Sequence, residues 1–200
     1  MTHTETHTQP AADTTAQAAP ARRRRRPRLR AALAATALLL AGYTAWSNQH
    51  ETRLTASVEI RATPDEVWRV LTDFAAYDEW NPFMTSARVT SSDGRLVEGA
   101  RLHVVLHDDE GGSPFTPRVQ EATPGKELRW LGKMGPGWIA DGRHRFVVER
   151  VGPDRVRLTQ SESFTGVAVP FAQGYLKSET LPQFRAMNKA LAQRAESLGD

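Results

Sequence analysis

The sequence predicts an α+β domain with about seven strands, two short helices after the first strand and a helix at the C-terminus. Residues 54–60 alternate apolar and polar side chains, as a half-buried strand does. A helix-capping sequence begins at Thr63, and strand-like segments separated by Gly- and Pro-containing turns then lead to a last helix with one apolar face. The stretch from Thr55 to Asp200 is long enough for one domain with a sizeable core.

Local capping signals predict the two helices after the first strand. Thr63 is a natural N-cap, Pro64 suits the first helical position, and Glu66 completes a Thr-x-x-Glu capping box. Asp73 is expected to cap a second short helix. Asn81 should end that helix, because the residue before a proline avoids the helical region.

Six further strands and a final helix complete the predicted domain. Pro182 either starts this last helix or kinks a longer one that runs from about Phe171, and Thr180 with Gln183 forms a second capping-box pattern. The predicted strands are residues 84–91, 100–107, 115–122, 126–132, 138–151 and 155–164.

Several motifs between residues 55 and 198 match a known family. They are Ala62-Thr63-Pro64, Val67-Trp68, Asp73-Phe74, Tyr77, Trp80-Asn81-Pro82-Phe83, Gly125-Lys126-Glu127-Leu128 before Trp130, residues 162–166 and residues 184–191. The segment resembles the START-like superfamily, also called SRPBCC, and within it the polyketide cyclase/dehydrase and lipid-transport family. The resemblance implies a helix-grip fold, in which a curved antiparallel sheet wraps a long C-terminal helix around an apolar cavity. Because this superfamily hosts both binding proteins and enzymes, the fold alone does not decide the function.

Composition excludes several kinds of chemistry and partner. The chain has no cysteine, which excludes disulfides, thiol nucleophiles and cysteine-ligated zinc. Its net charge is +3, but the arginines of residues 22–30 account for the excess, so residues 55–200 are slightly acidic. The domain therefore shows no basic face for nucleic acid, and no cofactor motif is present.

The N-terminal part of the chain is predicted to hold the protein to a membrane. Residues 1–30 form a disordered basic segment, residues 31–47 a transmembrane signal anchor, and residues 48–54 a tether to the START-like domain at 55–200. The uncharged run from Ala31 to Trp46 spans roughly 24 Å at 1.5 Å per residue, close to the thickness of a hydrocarbon core.

Two alternatives to the anchor follow from the same residues. A basic region, an apolar run and Ala45-Trp46-Ser47 are compatible with a cleaved signal peptide, which would release a secreted domain. A soluble helix is disfavoured because the run has no polar face. Trp46 fits a membrane interface better than a processing site, and the positive-inside rule keeps the arginines in the cytoplasm and the domain outside.

The polar residues expected inside the domain come from two neighbouring strands. On the last strand Arg157, Thr159 and Ser161 share a wet face, so Gln160 and Glu162 must point toward the helix. A buried carboxylate needs a partner or a raised pKa, and a hydrogen bond to the C-terminal helix or its preceding loop is the plainer interpretation.

Three residues are catalytic candidates: His144, Glu162 and Tyr175. A lone histidine among aromatic residues is more often a hydrogen-bonded core residue than an acid or base. His103 and His107 lie about 13 Å apart on one strand face, too far to share a metal, and no metal site is predicted.

Aromatic and apolar side chains are the better-supported candidate site. The loop from Met134 to Trp138 resembles a mobile gate with an aromatic tip. The candidate ligand-binding residues are Trp80, Phe83, Trp130, Trp138, His144, Phe146, Gln160, Glu162, Phe164, Phe171, Tyr175, Phe184 and Met187.

These observations favour a membrane-tethered binding or transport protein for a hydrophobic small molecule or lipid, without turnover. The alternative is an enzyme of the polyketide cyclase/dehydratase kind that moves protons with cavity residues, and a third interpretation is an interaction module whose interior is filled by side chains. No pair of titratable groups has a spacing that demands catalysis, which favours binding. The sequence does not determine the oligomeric state.

Overall fold

The computed structural model of the chain describes residues 25–107 and 112–199. Residues 1–24 of the segment 1–30, which is predicted to be disordered, lie outside the described residues. The described residues divide into two units, the first ending at Leu39 and the second beginning at Leu40. Helix α1 (Arg25–Gln49) begins in the first unit, and Leu33, Leu38 and Leu39 are exposed there. Within the described part of the chain, α1 is the one helix long and apolar enough to cross a membrane.

The second unit starts with the last ten residues of α1 and contains all the strands that the structure describes. Strand β1 already begins at Thr52, so the predicted tether 48–54 is reduced to His50 and Glu51. The other elements are α2 (Pro64–Thr72), a 3₁₀ turn (Phe74–Ala76), α3 (Tyr77–Trp80), β2 (Met84–Val89), β3 (Leu102–Leu106), β4 (Ser113–Phe115), β5 (Arg118–Thr123), β6 (Glu127–Met134), β7 (Ala140–Gly152), β8 (Arg155–Thr165), α4 (Val169–Tyr175), a π-helical turn (Leu176–Thr180) and α5 (Leu181–Glu196).

The strands form two antiparallel sheets that meet at one edge. The larger sheet has the order β1-β8-β7-β6-β5 and the smaller one β2-β3-β4. The amide of Val119 donates to the carbonyl of Ala100, and that of Gly99 donates to the carbonyl of Val119, so backbone bonds join β5 to the start of the smaller sheet. Eight strands are described instead of the predicted seven, because Pro117 interrupts the segment predicted as one strand at 115–122.

The first capping prediction is confirmed and the second is wrong. The Thr63 side chain accepts from the amide of Glu66, and the Thr63 amide donates to the Glu66 carboxylate at 2.7 Å. The Thr63 amide and the Thr63 hydroxyl both donate to the Glu66 carboxylate, and these two bonds lower the pKa of Glu66 below its ordinary value. Asp73 makes no side-chain cap. Asn81 ends α3 as predicted, and its side-chain oxygen accepts from the next two free amides, those of Phe83 and Met84.

The C-terminal helical segment is continuous and contains Pro182 within it. From Val169 to Glu196 the chain passes through α4, the π-helical turn and α5 without leaving helical backbone angles. Pro182 lacks an amide hydrogen, and the wider π-helical turn lies directly before it. The capping box predicted at Thr180 does not form, because Thr180 is itself helical (φ −73°, ψ −42°).

The domain core lies between the larger sheet and one face of α5. Phe184, Met187 and Leu191 are fully buried on that face, and the Asn188 amide donates to the Ala56 carbonyl of β1 at 3.1 Å. A fully buried phenylalanine contributes about 1.5–3 kcal/mol relative to an exposed one. The arrangement of a large antiparallel sheet around a long C-terminal helix confirms the helix-grip fold.

Candidate ligand-binding site

Three polar side chains, Glu162, His144 and Gln160, are linked by hydrogen bonds in the interior between β7 and β8, and we call them the polar chain. His144 and Glu162 are direct partners in the antiparallel register, as are Phe146 and Gln160. His144 Nδ1 lies 3.1 Å from Glu162 Oε2, and His144 Nε2 lies 3.0 Å from Gln160 Nε2. An amide nitrogen only donates, so Nε2 accepts and the Nδ1 proton is donated to the carboxylate. Both ring nitrogens are thereby used within the protein.

Gln160 is the most deeply buried member of this chain. Its side chain is fully buried, and its amide nitrogen also lies 3.6 Å from the sulfur of Met187 on α5. Its oxygen, Oε1, has no hydrogen-bond partner among the described residues. An unpaired acceptor in a protein interior costs about 1–3 kcal/mol. Gln160 therefore offers an unused acceptor between the sheet and α5.

Aromatic rings enclose the imidazole of His144. Trp130 stacks on it with ring centroids 5.1 Å apart, Phe146 lies at 4.8 Å, and Phe184 approaches edge-on at 5.0 Å. All four residues are at least 98% buried. The structure thus brings together Trp130, His144, Phe146, Gln160, Glu162, Phe184 and Met187, seven of the predicted site residues, as one packed interior cluster.

Glu162 lies at the boundary of this cluster. Its side chain is 16% exposed, whereas that of His144 is 3% exposed. Gly142, on the neighbouring strand, leaves room for the carboxylate, because a Cβ at Gly142 would lie 2.5 Å from Glu162 Oε1. Phe164, two residues further along β8, pairs with Gly142 and is half-buried. The partner of Glu162 is thus His144, and not the C-terminal helix that the sequence favoured.

The remaining predicted site residues occupy other positions. Phe83 is buried against Phe184, with centroids 5.5 Å apart. Trp80 packs on Tyr77, and its buried indole nitrogen has no hydrogen-bond partner among residues 25–107 and 112–199. Trp138, Phe171 and Tyr175 are exposed by 53%, 84% and 66%. Tyr175, a catalytic candidate, therefore lies on the surface and outside the interior cluster.

Four buried or hydrogen-bonded positions lie outside the set of site residues that the sequence predicts. The Tyr77 hydroxyl donates to the Leu71 carbonyl at 2.6 Å, and burial raises the pKa of Tyr77 well above its ordinary value. Asn188 also belongs to the buried face of α5, where its spacing from Phe184 would have placed it. Tyr43 and Ser47 contact the segment before α4, which no local pattern indicates.

Two clefts lie on the outer, solvent-facing side of the larger sheet. They have volumes of about 560 and 280 Å³, and Arg129 and Arg143 line both. Glu127 pairs with Arg145 at 2.7 Å and with Arg129 at 3.3 Å. Because their walls are charged, these clefts differ from the apolar cavity that the sequence predicts. Across the described residues no three His, Asp or Glu side chains are grouped as a metal site would require.

Comparison with known proteins supports the fold seen here. Residues 51–196 match the family described as polyketide cyclase / dehydrase and lipid transport. No curated protein matches the chain. Among solved structures, the Zhui aromatase/cyclase from Streptomyces sp. R1128 aligns with a TM-score of 0.61 and 15% identity over 76% of this chain and 97% of that one.

Two further solved structures show the same fold at low sequence identity. A START superfamily protein from Mycobacterium smegmatis aligns with a TM-score of 0.56 and 23% identity over 73% of this chain and 98% of that one. Norcoclaurine synthase from Thalictrum aligns with a TM-score of 0.59 and 12% identity over 76% and 98%. The aromatase/cyclase and the norcoclaurine synthase have different activities in their names, so the likeness speaks for the fold alone.

Proposed function

Because the chain belongs to the polyketide cyclase / dehydrase and lipid transport family, we propose that it binds or carries a hydrophobic small molecule or lipid while α1 holds it at a membrane. The ligand lies between the larger sheet and α5, and it is not converted. The aromatic cluster around His144 provides apolar walls for such a ligand.

The observation that carries this proposal is the position of Gln160. Its amide occupies His144 Nε2, the nitrogen that a general base would have to present to a substrate. Its own oxygen is buried and has no hydrogen-bond partner within the described part of the chain. A ligand with one hydroxyl group would donate to this oxygen and place its apolar part among the rings. The polar chain is therefore suited to hold a ligand rather than to move its protons.

The membrane part of the proposal rests on α1. Its apolar run follows the arginines of residues 22–30 and ends at Tyr43 and Trp46, which are typical of a membrane interface. In the domain, the Tyr43 hydroxyl donates to the Val167 carbonyl at 2.8 Å, and Ser47 is fully buried. Cleavage near Ser47 would remove the Tyr43 contact from the folded unit. These contacts favour a retained anchor over a cleaved signal peptide.

A cyclase- or dehydratase-type enzyme is the second candidate function. The bond between His144 and Glu162 favours it, because a carboxylate that orients an imidazole is a common acid and base arrangement. For this pair to act on a substrate, Gln160 would have to leave His144 Nε2. Tyr175 would also have to move from the surface, where it is 66% exposed, to reach the interior.

Native mass spectrometry of the full chain in mild detergent tests the binding function. We expect an apolar molecule to be carried with the protein, and an apolar fluorescent dye to displace it. Ala140→Trp, which adds bulk to an inward-facing position, should abolish dye uptake, whereas Ala75→Trp at an exposed position should not. Equal uptake by all three proteins would contradict an internal site.

A further inference from the structure

Five large apolar side chains are exposed in segments that meet at one end of the second unit. Trp46 is 48% exposed and comes from the end of α1. Met134 and Trp138 are 71% and 53% exposed and come from the loop after β6, and Phe171 and Tyr175 are 84% and 66% exposed on α4. Isolated exposed apolar residues are common, but a contiguous group marks an interaction surface.

Backbone bonds join the segments that carry these side chains. The amide of Val167, just before α4, donates to the Trp138 carbonyl at 3.0 Å, and the amide of Gly166 donates to the Ser47 carbonyl at 3.3 Å. The Tyr43 hydroxyl donates to the Val167 carbonyl. The end of α1, the loop of residues 134–139 and α4 therefore form one connected surface, which we call the apolar rim.

Charged residues are absent from two of the sequence segments that form the apolar rim. Residues 134–140 and residues 166–176 carry no charged side chain, in a chain in which 24% of residues are charged. Lys133 precedes the first segment and Asp141, its partner across the β6–β7 pair, follows it, whereas Lys177 follows the second segment. Apolar and aromatic side chains bordered by lysine are typical of a protein surface that contacts the headgroup region of a bilayer.

Tyr43 relates the apolar rim to the membrane anchor. Its ring lies 6.0 Å from that of Trp46 and 6.3 Å from that of Phe171. At 1.5 Å per residue, Tyr43 precedes Trp46 by about 4.5 Å along the helix, toward the apolar run. If Trp46 lies at the interface, Tyr43 lies slightly closer to the hydrocarbon, and Phe171 is in contact with the ring of Tyr43.

We infer that the apolar rim rests in the interface of the bilayer that holds α1, and that the hydrophobic ligand passes directly from this bilayer into the domain. This inference depends on the proposed function and adds the route by which the site is filled. Strand β8 runs from the rim to the interior cluster: Phe164 lies near its rim end, and Gln160 follows about 13 Å further along at 3.3 Å per residue. The ligand therefore reaches the free oxygen of Gln160 without crossing water.

The test places a reporter on the apolar rim of the full chain. Because the protein has no cysteine, Phe171→Cys gives a single labelling site, and Asp154→Cys gives the matched control in the hairpin turn at the other end of β8. Each variant is labelled with a polarity-sensitive fluorophore and reconstituted into phosphatidylcholine vesicles that contain some phosphatidylglycerol. We expect lipid-borne doxyl groups to quench the label at residue 171 and aqueous iodide to quench the label at residue 154.

The outcomes separate this inference from the function on which it rests. A protein that does not float with the vesicles would contradict the membrane tether, and the inference with it. A protein that floats, but whose label at residue 171 is quenched by iodide as strongly as the label at residue 154, would contradict the inference alone.

Transfer kinetics provide a second measurement. The double variant Phe171→Glu with Tyr175→Glu should slow transfer of a fluorescent apolar probe from vesicles to the protein, because charge keeps the rim out of the interface. Val151→Glu, an exposed apolar position outside the rim, is the control and should transfer at the normal rate. Equal rates for the two variants would overturn the proposed route.

Discussion

Gly142 lies directly beside the carboxylate of Glu162, and a Cβ at this position would approach Oε1 to 2.5 Å. The absence of a side chain at residue 142 allows Glu162 to turn toward His144, its partner across the β7–β8 pair. A glycine within a strand is normally unfavourable, and Gly142 is the third residue of β7, which supports a specific reason for its presence here. The geometry of the polar chain thus depends on the absence of a side chain at residue 142.

Gly142→Ala is expected to displace the Glu162 carboxylate and to break its bond with His144. We expect a loss of about 1–3 kcal/mol in the free energy of unfolding, because the buried imidazole N–H loses its acceptor. Chemical denaturation measures this loss. Gly132→Ala on β6 is the matched control: its Cβ would meet the Phe115 ring at an ordinary 3.5 Å, so no comparable loss should follow. Equal effects of the two substitutions would contradict the role given to Gly142.

Substitution of Glu162 separates binding from catalysis. Glu162→Gln keeps an oxygen that accepts from His144 and should preserve stability and ligand affinity, whereas Glu162→Leu leaves the imidazole donor unpaired and should cost about 1–3 kcal/mol. If Glu162 were a general base, the glutamine variant would lose about 10²–10⁴-fold in turnover while it remained folded. A stable variant that binds a substrate and no longer converts it would favour the enzyme.

Glu127 should make the stability of the domain dependent on pH in the acid range. Its hydrogen bonds to Arg145, followed by the charges of Arg145 and Arg129, lower the pKa of Glu127 in the folded state. A lowered folded pKa stabilises the protein fully above the ordinary glutamate pKa, and this contribution is lost as pH falls through the folded value. Urea unfolding between pH 7 and pH 3 should show a smaller pH dependence for Glu127→Gln than for the unchanged protein. Parallel curves would show that this ion pair does not contribute.

The proposed topology predicts a protected N-terminus and an accessible domain. With the arginines of residues 22–30 in the cytoplasm, added protease should digest residues 55–200 in intact spheroplasts and leave a tag at Met1 protected. The mature protein should also retain Met1 to Ser47 by mass. A domain that is digested only after lysis would contradict this orientation, and a mass that lacks these residues would support the cleaved signal peptide.

Local chemistry made much of the fold predictable from the sequence. The capping box of Thr63 and Glu66 involves residues three positions apart, so no distant partner is needed to form it. The inward positions of His144 and Gln160 follow from the two-residue period of a strand, in which alternate side chains face the core. For the same reason, the buried face of α5 could be read from its helical spacing.

Two capping signals in the sequence do not form caps in the folded protein. The structure also distinguishes a helix that starts at Pro182 from a longer helix that contains it. Asp73 and Thr180 have the side chains of N-caps, but the backbone at Thr180 continues the preceding helix and leaves no free amides to cap. Pro182 was compatible with a helix start or with a kink. In the structure Pro182 lies within one continuous helical segment and follows a π-helical turn.

Sequence alone determined that this chain has an apolar helix followed by an α+β domain with polar residues in its interior, because periodicity, capping and composition depend on near neighbours. Only the tertiary structure decided which of those polar residues meet: the pairing of Glu162 with His144 depends on the register of β7 and β8. It also decided that Trp138, Phe171 and Tyr175 are exposed rather than enclosed. The physical reason is that an aromatic residue carries the same local pattern in a core and on a surface, and the contacts that distinguish them join segments distant in the chain, as Tyr43 and Val167 do.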